Sequence, residues 1–559
     1  MSVRSYRRLR IAVGAVVLLA CTVVFADVRD WFEAPAARWL LWPQFGPSVL
    51  GFLTDPGWVA AGFLVVLGMT LLLGRVYCAM LCPLGVLMDF SAWLGRRTGA
   101  RRRLSYRRGR TWLRVAVVAA AVVAVAGGSA WAAGLLEPFS LFGRIVSGTL
   151  RPLAGWANNA AALAGWTMPV EVSPVPWTVL GLALGMLGLV VVLALIRGRL
   201  WCNTLCPVGA VLGAVSKFSI YRLQIDGSEC TACSMCERVC PAQCIDFRNH
   251  RIEHSRCVMC LDCVRSCRRS GITLERAVAS ASGRPRGRLL SAGVGGEYPG
   301  GGPGARATVL PSVTRRLLLR GALLLPAAAL AGKGDGNRRR RGWGGGRGQG
   351  GGGRGRRKGS HSGTCDRDLD QFSKRPSLPP GAISLEHFRS HCTACHLCVS
   401  NCPEQVLRPS VTKWGLAGFL QPYQDFDHAF CAYECADCSQ VCPTGAIQPL
   451  TVDERKGVQT GVAEFFKGRC VVKTQGTACG ACAEHCPTAA IQMVPWQNDL
   501  TIPEVDPDLC VGCGGCEFIC PVTPQKAIVV HGHREHTAAR RPLLGRENTV
   551  REIKEEFPF

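Results

Sequence analysis

The sequence predicts an α-helical membrane domain joined to small α+β cysteine-rich domains. Three observations predict it. Apolar residues make up 48% of the 559 positions, with a mean hydropathy of +0.17. Four stretches before residue 197 are apolar enough to cross a bilayer. The 31 cysteines recur at fixed short spacings. Such numbers exclude a disordered or collagen-like chain. They leave a disulfide-rich, a zinc or an iron–sulfur protein, and spacing must choose among them.

The four apolar stretches run over 11–26, 58–74, 112–134 and 177–196. A span needs ~20 apolar residues, so the first two are short, and the second can extend into the residues after 74. Trp58, Trp112, Trp131 and Trp177 stand at their ends, where interfacial anchors sit. Arg4, Arg7, Arg8 and Arg10 precede the first stretch, and residues 95–110 hold eight arginines and no acid. Cytoplasmic Lys/Arg bias then places the N-terminus, 95–110 and everything from 197 inside, with 27–55 and 135–175 as outside loops. Val24, Phe25 and Ala26 would suit signal cleavage, but a retained helix is expected.

A repeat follows the second and fourth stretches. Arg75, Tyr77, Cys78, Leu81, Cys82, Pro83 and Gly85 match Arg199, Trp201, Cys202, Leu205, Cys206, Pro207 and Gly209, 124 residues later. Cysteines four apart share a helix face. Buried apolar cysteines are common, yet the same C-x3-C-P twice points to a redox or metal site. Cys78, Cys82, Cys202 and Cys206 are expected to converge at the cytoplasmic side of the bundle.

Six cysteine quartets follow. They are Cys230, Cys233, Cys236 and Cys240; Cys257, Cys260, Cys263 and Cys267; Cys392, Cys395, Cys398 and Cys402; Cys431, Cys435, Cys438 and Cys442; Cys470, Cys479, Cys482 and Cys486; and Cys510, Cys513, Cys516 and Cys520. Proline follows the last cysteine in every quartet but the second, where Arg268 stands. Three thiolates in a short loop suit three irons of one cubane, and the fourth suits a neighbouring cluster. Zinc ribbons use paired C-x2-C knuckles instead, and clustered triplets leave no sensible disulfide pairing. The expectation is six [4Fe–4S] clusters on α+β bacterial-type ferredoxin domains. In the first pair, Cys230, Cys233, Cys236 and Cys267 share one cluster, and Cys257, Cys260, Cys263 and Cys240 the other. Among the last four quartets, neighbour exchange (third with fourth, fifth with sixth) and nested exchange (third with sixth, fourth with fifth) both fit. Cys21, Cys244 and Cys365 are read as structural or incidental.

Two other patterns compete with this reading. Cys392, Cys395 and His396 form a C-x-x-C-H haem motif, but these cysteines complete a quartet. His531, His533 and His536 could bind a metal; a solvated polar turn is the expected reading. No phosphate-binding loop or Ser/His/Asp pattern stands out, so no substrate-transforming domain is expected.

Charge separates the halves. From Cys365 onward acids outnumber bases 23 to 18, whereas residues 1–364 hold 47 bases and 16 acids. Residues 338–358 alone hold nine bases and no acid. Such Arg/Gly runs suggest nucleic acid, but the acidic C-terminal half speaks against it, and no nucleic-acid partner is expected.

With these residues in view, 1–275 resembles the NapH-type membrane ferredoxins of periplasmic nitrate reductase systems, relatives of NosR and CcoG-type proteins. Residues about 383–535 resemble NapG-type four-cluster ferredoxins. The resemblance implies quinol as electron donor and delivery through the clusters to a redox protein partner, a reductase or cytochrome. CcoG-type relatives suggest an alternative, a copper reductase or metallo-cofactor maturation factor. The fusion, Arg268 and the Arg/Gly linker depart from the families. The expected organisation is a membrane domain (1–220), a two-cluster ferredoxin (221–275), a Gly/Pro/Arg-rich linker (276–382), a four-cluster ferredoxin (383–535) and a tail (536–559). Within the linker, Arg315, Arg316 and the apolar residues of 314–332 resemble a twin-arginine signal. The expectation is a multi-pass protein of the bacterial cytoplasmic membrane with its two-cluster ferredoxin cytoplasmic; two placements of the four-cluster domain stay open, export by the twin-arginine-like segment, which is slightly favoured, or retention inside, which the nine bases of 338–358 favour.

Overall fold

The computed structural model describes residues 3–29, 39–57, 61–99, 104–172, 174–276 and 375–540. The twin-arginine-like segment, Cys365, most of the linker and the tail beyond 540 lie outside the described residues.

The first part is helical: α1 (Val3–Ala26), α2 (Phe45–Thr54), α3 (Gly62–Leu73), α4 (Tyr77–Met80), α5 (Pro83–Arg97), α6 (Thr111–Ala126), α7 (Ala130–Leu136), α8 (Pro138–Leu163), α9 (Trp177–Arg197), α10 (Leu200–Thr204) and α11 (Pro207–Ser216). Among the described residues only α1 and α9 are both long and apolar enough to cross a membrane, while α3 and α6 are shorter apolar helices. The expectation of four full-length spans is therefore met by two. Backbone chemistry explains the shortfall. Gly74, at φ +79°, caps α3, a left-handed position that glycine takes without Cβ strain. The stretch 112–134 is cut at Gly127 and Gly128, the latter at φ +72°, so it continues as the separate α7. Outward side chains on these helices are apolar, among them Val16, Leu19, Leu64, Leu72, Val115, Val123, Leu184 and Val192.

The region 135–175, expected as a loop, contains the 26-residue α8. Pro138 occupies its first turn and Glu137 caps it by accepting from the Ser140 amide at 2.5 Å, a pairing that satisfies an orphan helix N–H. Its buried face packs on α1, α5 and α9. Phe25 on α1 meets Phe139 and Phe142 at ring distances of 5.4 and 6.3 Å.

Next come β1 (Tyr221–Ile225) and, closing the two-quartet module, β4 (Ile272–Arg276), paired antiparallel with Leu223 opposite Leu274. Between them lie β2 (Ile245–Asp246), which pairs with β3 (Arg251–Ile252), and two five-residue helices, Met235–Val239 and Asp262–Ser266.

Residues 375–540 hold β5 (Leu407–Pro409) on β6 (Pro422–Gln424), β8 (Ile491–Pro495) on β9 (Thr501–Val505), and β7 (Val458–Phe465) on β10 (Ile528–Ala538). All three pairs are antiparallel. Strand β10 carries His531, His533 and His536, so the polar turn expected there is instead the end of a long strand. The His531 ring meets Glu464 at 3.2 Å and the His533 ring meets Gln459 at 3.2 Å.

The two modules touch opposite ends of the same helices. Towards residues 220–276, the Tyr6 hydroxyl donates to the Met259 carbonyl at 2.9 Å, Arg7 pairs with Asp262 at 3.5 Å, and the Ile220 amide donates to Leu71 at 2.8 Å. On the same side Arg114 donates to the Ser255 carbonyl at 3.1 Å and the Arg199 amide to Pro241 at 2.9 Å. These contacts use the start of α1, the end of α3, the start of α6 and the end of α9. Towards residues 375–540, Thr54 donates to the Thr444 carbonyl at 3.0 Å, Arg408 to Pro174 at 2.8 Å, and Trp131 packs on Phe419 at 6.0 Å. These use the other ends: before α3, after α6 and before α9.

Candidate functional site

The quartet loops share an unusual backbone. In the first, second, third and sixth quartets, the residues just before and just after the second cysteine are left-handed: Ala232 and Ser234, Met259 and Leu261, Ala394 and His396, Gly512 and Gly514. Six of these eight carry a Cβ, and each such residue costs about 1–2 kcal/mol. Repeated strain of this kind persists only where the surroundings over-determine it, and it clusters at functional sites. It turns three successive cysteines towards one point. The third residue after the last cysteine is also left-handed in five quartets, at Gln243, Ser270, Gln405, Gly445 and Ala489. The fourth and fifth quartets lack the paired left-handed turn, since their first two cysteines are spaced by three and eight residues rather than two.

Three small cavities show which cysteines face each other. One is lined by Cys257, Cys260 and Cys263 together with Cys240. One is lined by Cys431, Cys435 and Cys438 with Cys402. A third is lined by Cys470, Cys479 and Cys482 with Cys520. The reciprocal sets agree: Cys392, Cys395 and Cys398 neighbour Cys442, and Cys510, Cys513 and Cys516 neighbour Cys486. In the first quartet Cys236 neighbours Cys230 and Cys233. The geometry therefore favours neighbour exchange in the C-terminal half over the nested arrangement. Three thiols of one loop with a fourth from its neighbour, repeated in each cavity, fit one repeated four-thiolate group. Such a group supplies one-electron redox chemistry when bound. Buried Arg455 supports the fourth quartet by donating to the Cys431 Sγ at 3.3 Å.

His396 is not poised as a haem ligand. Its Nε2 lies 3.0 Å from the Leu420 carbonyl and its Nδ1 3.4 Å from the Ser147 hydroxyl. Burial pushes its pKa down to about 3. Cys244, read from sequence as incidental, lies 3.6 Å from Cys240, Sγ to Sγ, on the wall of the second-quartet cavity.

The two C-x3-C-P units meet within the helical part. Cys78, Cys82, Cys202 and Cys206 are each at most 4% exposed and belong to one packed cluster. Cys82 and Cys206 cap α5 and α11, accepting from the Gly85 amide at 3.4 Å and the Gly209 amide at 3.2 Å. Arg75 of the first unit donates to the Cys202 carbonyl of the second at 3.1 Å, and Arg199 of the second donates to the Cys78 carbonyl of the first. A Cβ on Gly85 would stand 2.4 Å from the Cys78 carbonyl, and one on Gly209 2.2 Å from that of Cys202. Glycine is thus required at both close approaches. Sequence reasoning identified the cysteines but not the roles of Arg75 and Arg199, which only the crossed packing reveals.

At the other module, Arg144 of α8 is 2% exposed. It donates to the carbonyls of Thr393 at 3.3 Å, Ala394 at 3.2 Å and Gly134 at 2.7 Å. It fastens the third-quartet loop to the helical part.

Comparison with known proteins agrees with this chemistry. A family model described as a 4Fe-4S binding domain matches residues 54–101 and 178–222, and one described as a 4Fe-4S dicluster domain matches 477–523. The methylamine utilization ferredoxin-type protein MauM of Methylobacillus flagellatus is 37% identical over 154 residues, 25% of this chain and 62% of that protein. The ferredoxin-type protein MauN of Paracoccus denitrificans is 31% identical over 269 residues, 44% of this chain and 83% of that protein. The ferredoxin-type protein NapH of Haemophilus influenzae is 32% identical over 255 residues, 45% of this chain and 73% of that protein. No solved structure matches. Strained cysteine loops, four-thiol cavities and these relatives converge: the chain belongs to the ferredoxin-type family that includes MauN and NapH, iron–sulfur proteins of electron transfer.

Proposed function

We propose that this chain is a membrane-bound polyferredoxin that moves electrons from the quinol pool, through six [4Fe–4S] clusters held by the 24 quartet cysteines, to a reductase or cytochrome partner. The observation that carries this reading is the attachment of the two cysteine modules to opposite ends of α1, α3, α6 and α9. Helices that cross a membrane in alternation present alternate ends to each face. The start of α1, end of α3, start of α6 and end of α9 lie together, as four crossings require. The apolar outer faces of these helices support the same reading, since contiguous exposed apolar surface marks a partner or a membrane. On this reading α3 and α6 cross with help from the flanking α4 and α7, and the arginines at one end mark the cytoplasmic face.

The two-cluster module then faces the cytoplasm and the four-cluster module the opposite face. Quinol is the donor implied by the NapH likeness. The protein's own contribution is positional: Arg144 and Thr54 hold the third and fourth quartets against the helices, while Tyr6, Arg7 and Arg114 hold the second quartet at the other end. Metal analysis of anaerobically purified protein tests the cofactor reading. About 24 iron and 24 acid-labile sulfide per chain are expected from six cubanes; stoichiometric zinc with little iron would refute it.

A further inference from the structure

We propose that the fifth quartet (Cys470, Cys479 and Cys482, with Cys520) is the end of the C-terminal relay, and that the basic rim around it docks a soluble one-electron redox protein presenting an acidic face. The inference rests on the polyferredoxin reading and deepens it, by placing the partner's docking surface and the charge that surface must meet.

The order of the quartets in space is the first support. Arg144 fastens the third-quartet loop to the helical part, so the relay starts there. The third and fourth quartets exchange Cys402 and Cys442. The fourth then abuts the sixth: the Cys431 amide donates to the Cys513 carbonyl at 2.9 Å, and these two cysteines interact electrostatically. The sixth and fifth exchange Cys486 and Cys520. The spatial order is therefore third, fourth, sixth, fifth, which differs from the order along the chain. The fifth quartet shares ligands with the sixth alone and lies at the far end.

Exposure is the second support. Cys470 and Cys479 are separated by eight residues, where the other loops have two or three. Residues 473–478 of this insertion are all exposed, and Cys479 and Cys482 beyond it are half-buried. An electron can reach a partner here without passing through the body of the module.

Charge is the third support. Residues 375–540 hold 16 acids and 12 bases, so the module as a whole is acidic. Four of those bases nevertheless flank the ligands of this one quartet. Lys467 and Arg469 precede Cys470, Lys473 follows it, and Lys526 donates to the Cys520 carbonyl. Lys467 Nζ stands 3.3 Å from the centre of the Trp496 ring, and the Arg469 guanidinium lies 4.5 Å from that of Phe466. Arg469 also donates to the Lys526 carbonyl at 3.4 Å. These contacts hold the cations in place without neutralising them. None of the four is in an ion pair among the described residues. The acids close by in sequence or on the adjoining hairpin are few. Glu484 follows Cys482, and Asp499 is in the β8–β9 turn. Glu504 is on the opposite face of β9 from Pro503, which lines the cavity, because successive strand side chains alternate. Unanswered rim charge of one sign steers a partner of the other sign and raises its rate of association.

The step is a simple exchange. One electron leaves the reduced fifth cluster for the partner's oxidised one-electron centre, and the sixth cluster refills the fifth. No bond forms or breaks.

The test is stopped-flow oxidation of the full chain in neutral detergent, reduced with dithionite and freed of excess, by two ferric soluble c-type cytochromes, one acidic and one basic. The acidic cytochrome is expected to be reduced faster at low ionic strength, with a rate that falls as salt is added. Lys467→Glu/Lys473→Glu should slow it about tenfold and leave the basic cytochrome as fast or faster. Lys413→Glu/Arg534→Glu makes the same charge change at exposed positions elsewhere on the module and should change neither rate by more than a small factor. EPR of the reduced proteins checks that the clusters persist in both variants. Faster reduction of the basic cytochrome, equal slowing of both cytochromes, or equal behaviour of the two variants overturns the proposal. If the first variant fails to fold, a rate with the acidic cytochrome that does not fall with salt overturns it on the unmodified chain alone. Absence of cubane signals from the unmodified chain would instead overturn the polyferredoxin reading.

Discussion

Replacing Arg144 with methionine should loosen the third quartet from the helical part while sparing both folds. The guanidinium is 2% exposed and donates to three carbonyls, two of them in the Thr393–Ala394 turn beside Cys392 and Cys395. A hydrogen bond from a charged donor contributes about 1.5–3 kcal/mol, and a stranded buried acceptor adds its own cost. Against this, methionine removes a buried charge that was expensive to desolvate. The Thr393 and Ala394 bonds exceed 3.1 Å, so they belong at the weak end of the range. The net cost is then about 2–4 kcal/mol, or about 30- to 1,000-fold in the local opening equilibrium. Hydrogen exchange mass spectrometry of the holoprotein reads that equilibrium directly. Peptides covering 390–402 and 130–147 should exchange faster by that factor, while those covering β7 and β10 remain unchanged. Unaltered protection at 390–402 would refute the view that Arg144 fastens the module. Global loss of protection would refute the view that its role is local.

Neighbour exchange predicts that Cys402→Ser and Cys438→Ser perturb the same EPR signal, and that Cys442→Ser perturbs a different one, shared with Cys398→Ser; a signal shared between Cys402→Ser and Cys516→Ser would contradict it. Gly514 sits at φ +82°, and a Cβ there would lie 2.1 Å from the Phe426 ring, so Gly514→Val should cost about four iron per chain by breaking the sixth loop; retention of full iron would show the loop tolerates a right-handed turn. Gly209→Val should lower the thermal midpoint of the helical part by more than Gly181→Val, since Gly209 abuts a carbonyl and Gly181 has nothing within 4 Å; equal shifts measured by circular dichroism would discount the crossed packing of the two units.

Much of the cofactor chemistry was legible because it is local. A C-x2-C-x2-C-x3-C-P run brings its thiols together within a dozen residues, and the left-handed turns at Ser234, Leu261 and His396 realise that spacing. Ligand exchange was not legible in the C-terminal half, because neighbour and nested pairings use the same sequence; the cavities joining Cys402 to Cys438 and Cys520 to Cys482 separate them. The helical part was legible as apolar periodic segments but not in its breaks. Gly127 and Gly128 sit inside a continuous apolar run, and only their backbone angles divide it. Helix α8 was not legible because asparagines, arginines and Pro152 dilute its hydropathy, and its first half is enclosed on every side, with all of Phe139 to Thr149 except Ser147 buried, so no one-sided apolar stripe marks it. The crossed Arg75 and Arg199 contacts join residues more than 120 apart, so no local pattern could have announced them.

The measurement that tests the central claim most directly is accessibility in right-side-out vesicles that carry the unmodified full chain. Protease and an impermeant thiol reagent are applied before and after permeabilisation, with Arg315→Lys/Arg316→Lys as the export control. The transmembrane arrangement predicts that peptides from 375–540 are reached in intact vesicles and those from 221–276 only after permeabilisation. Protection of 375–540 in intact vesicles would contradict it and would put all six quartets on the cytoplasmic face.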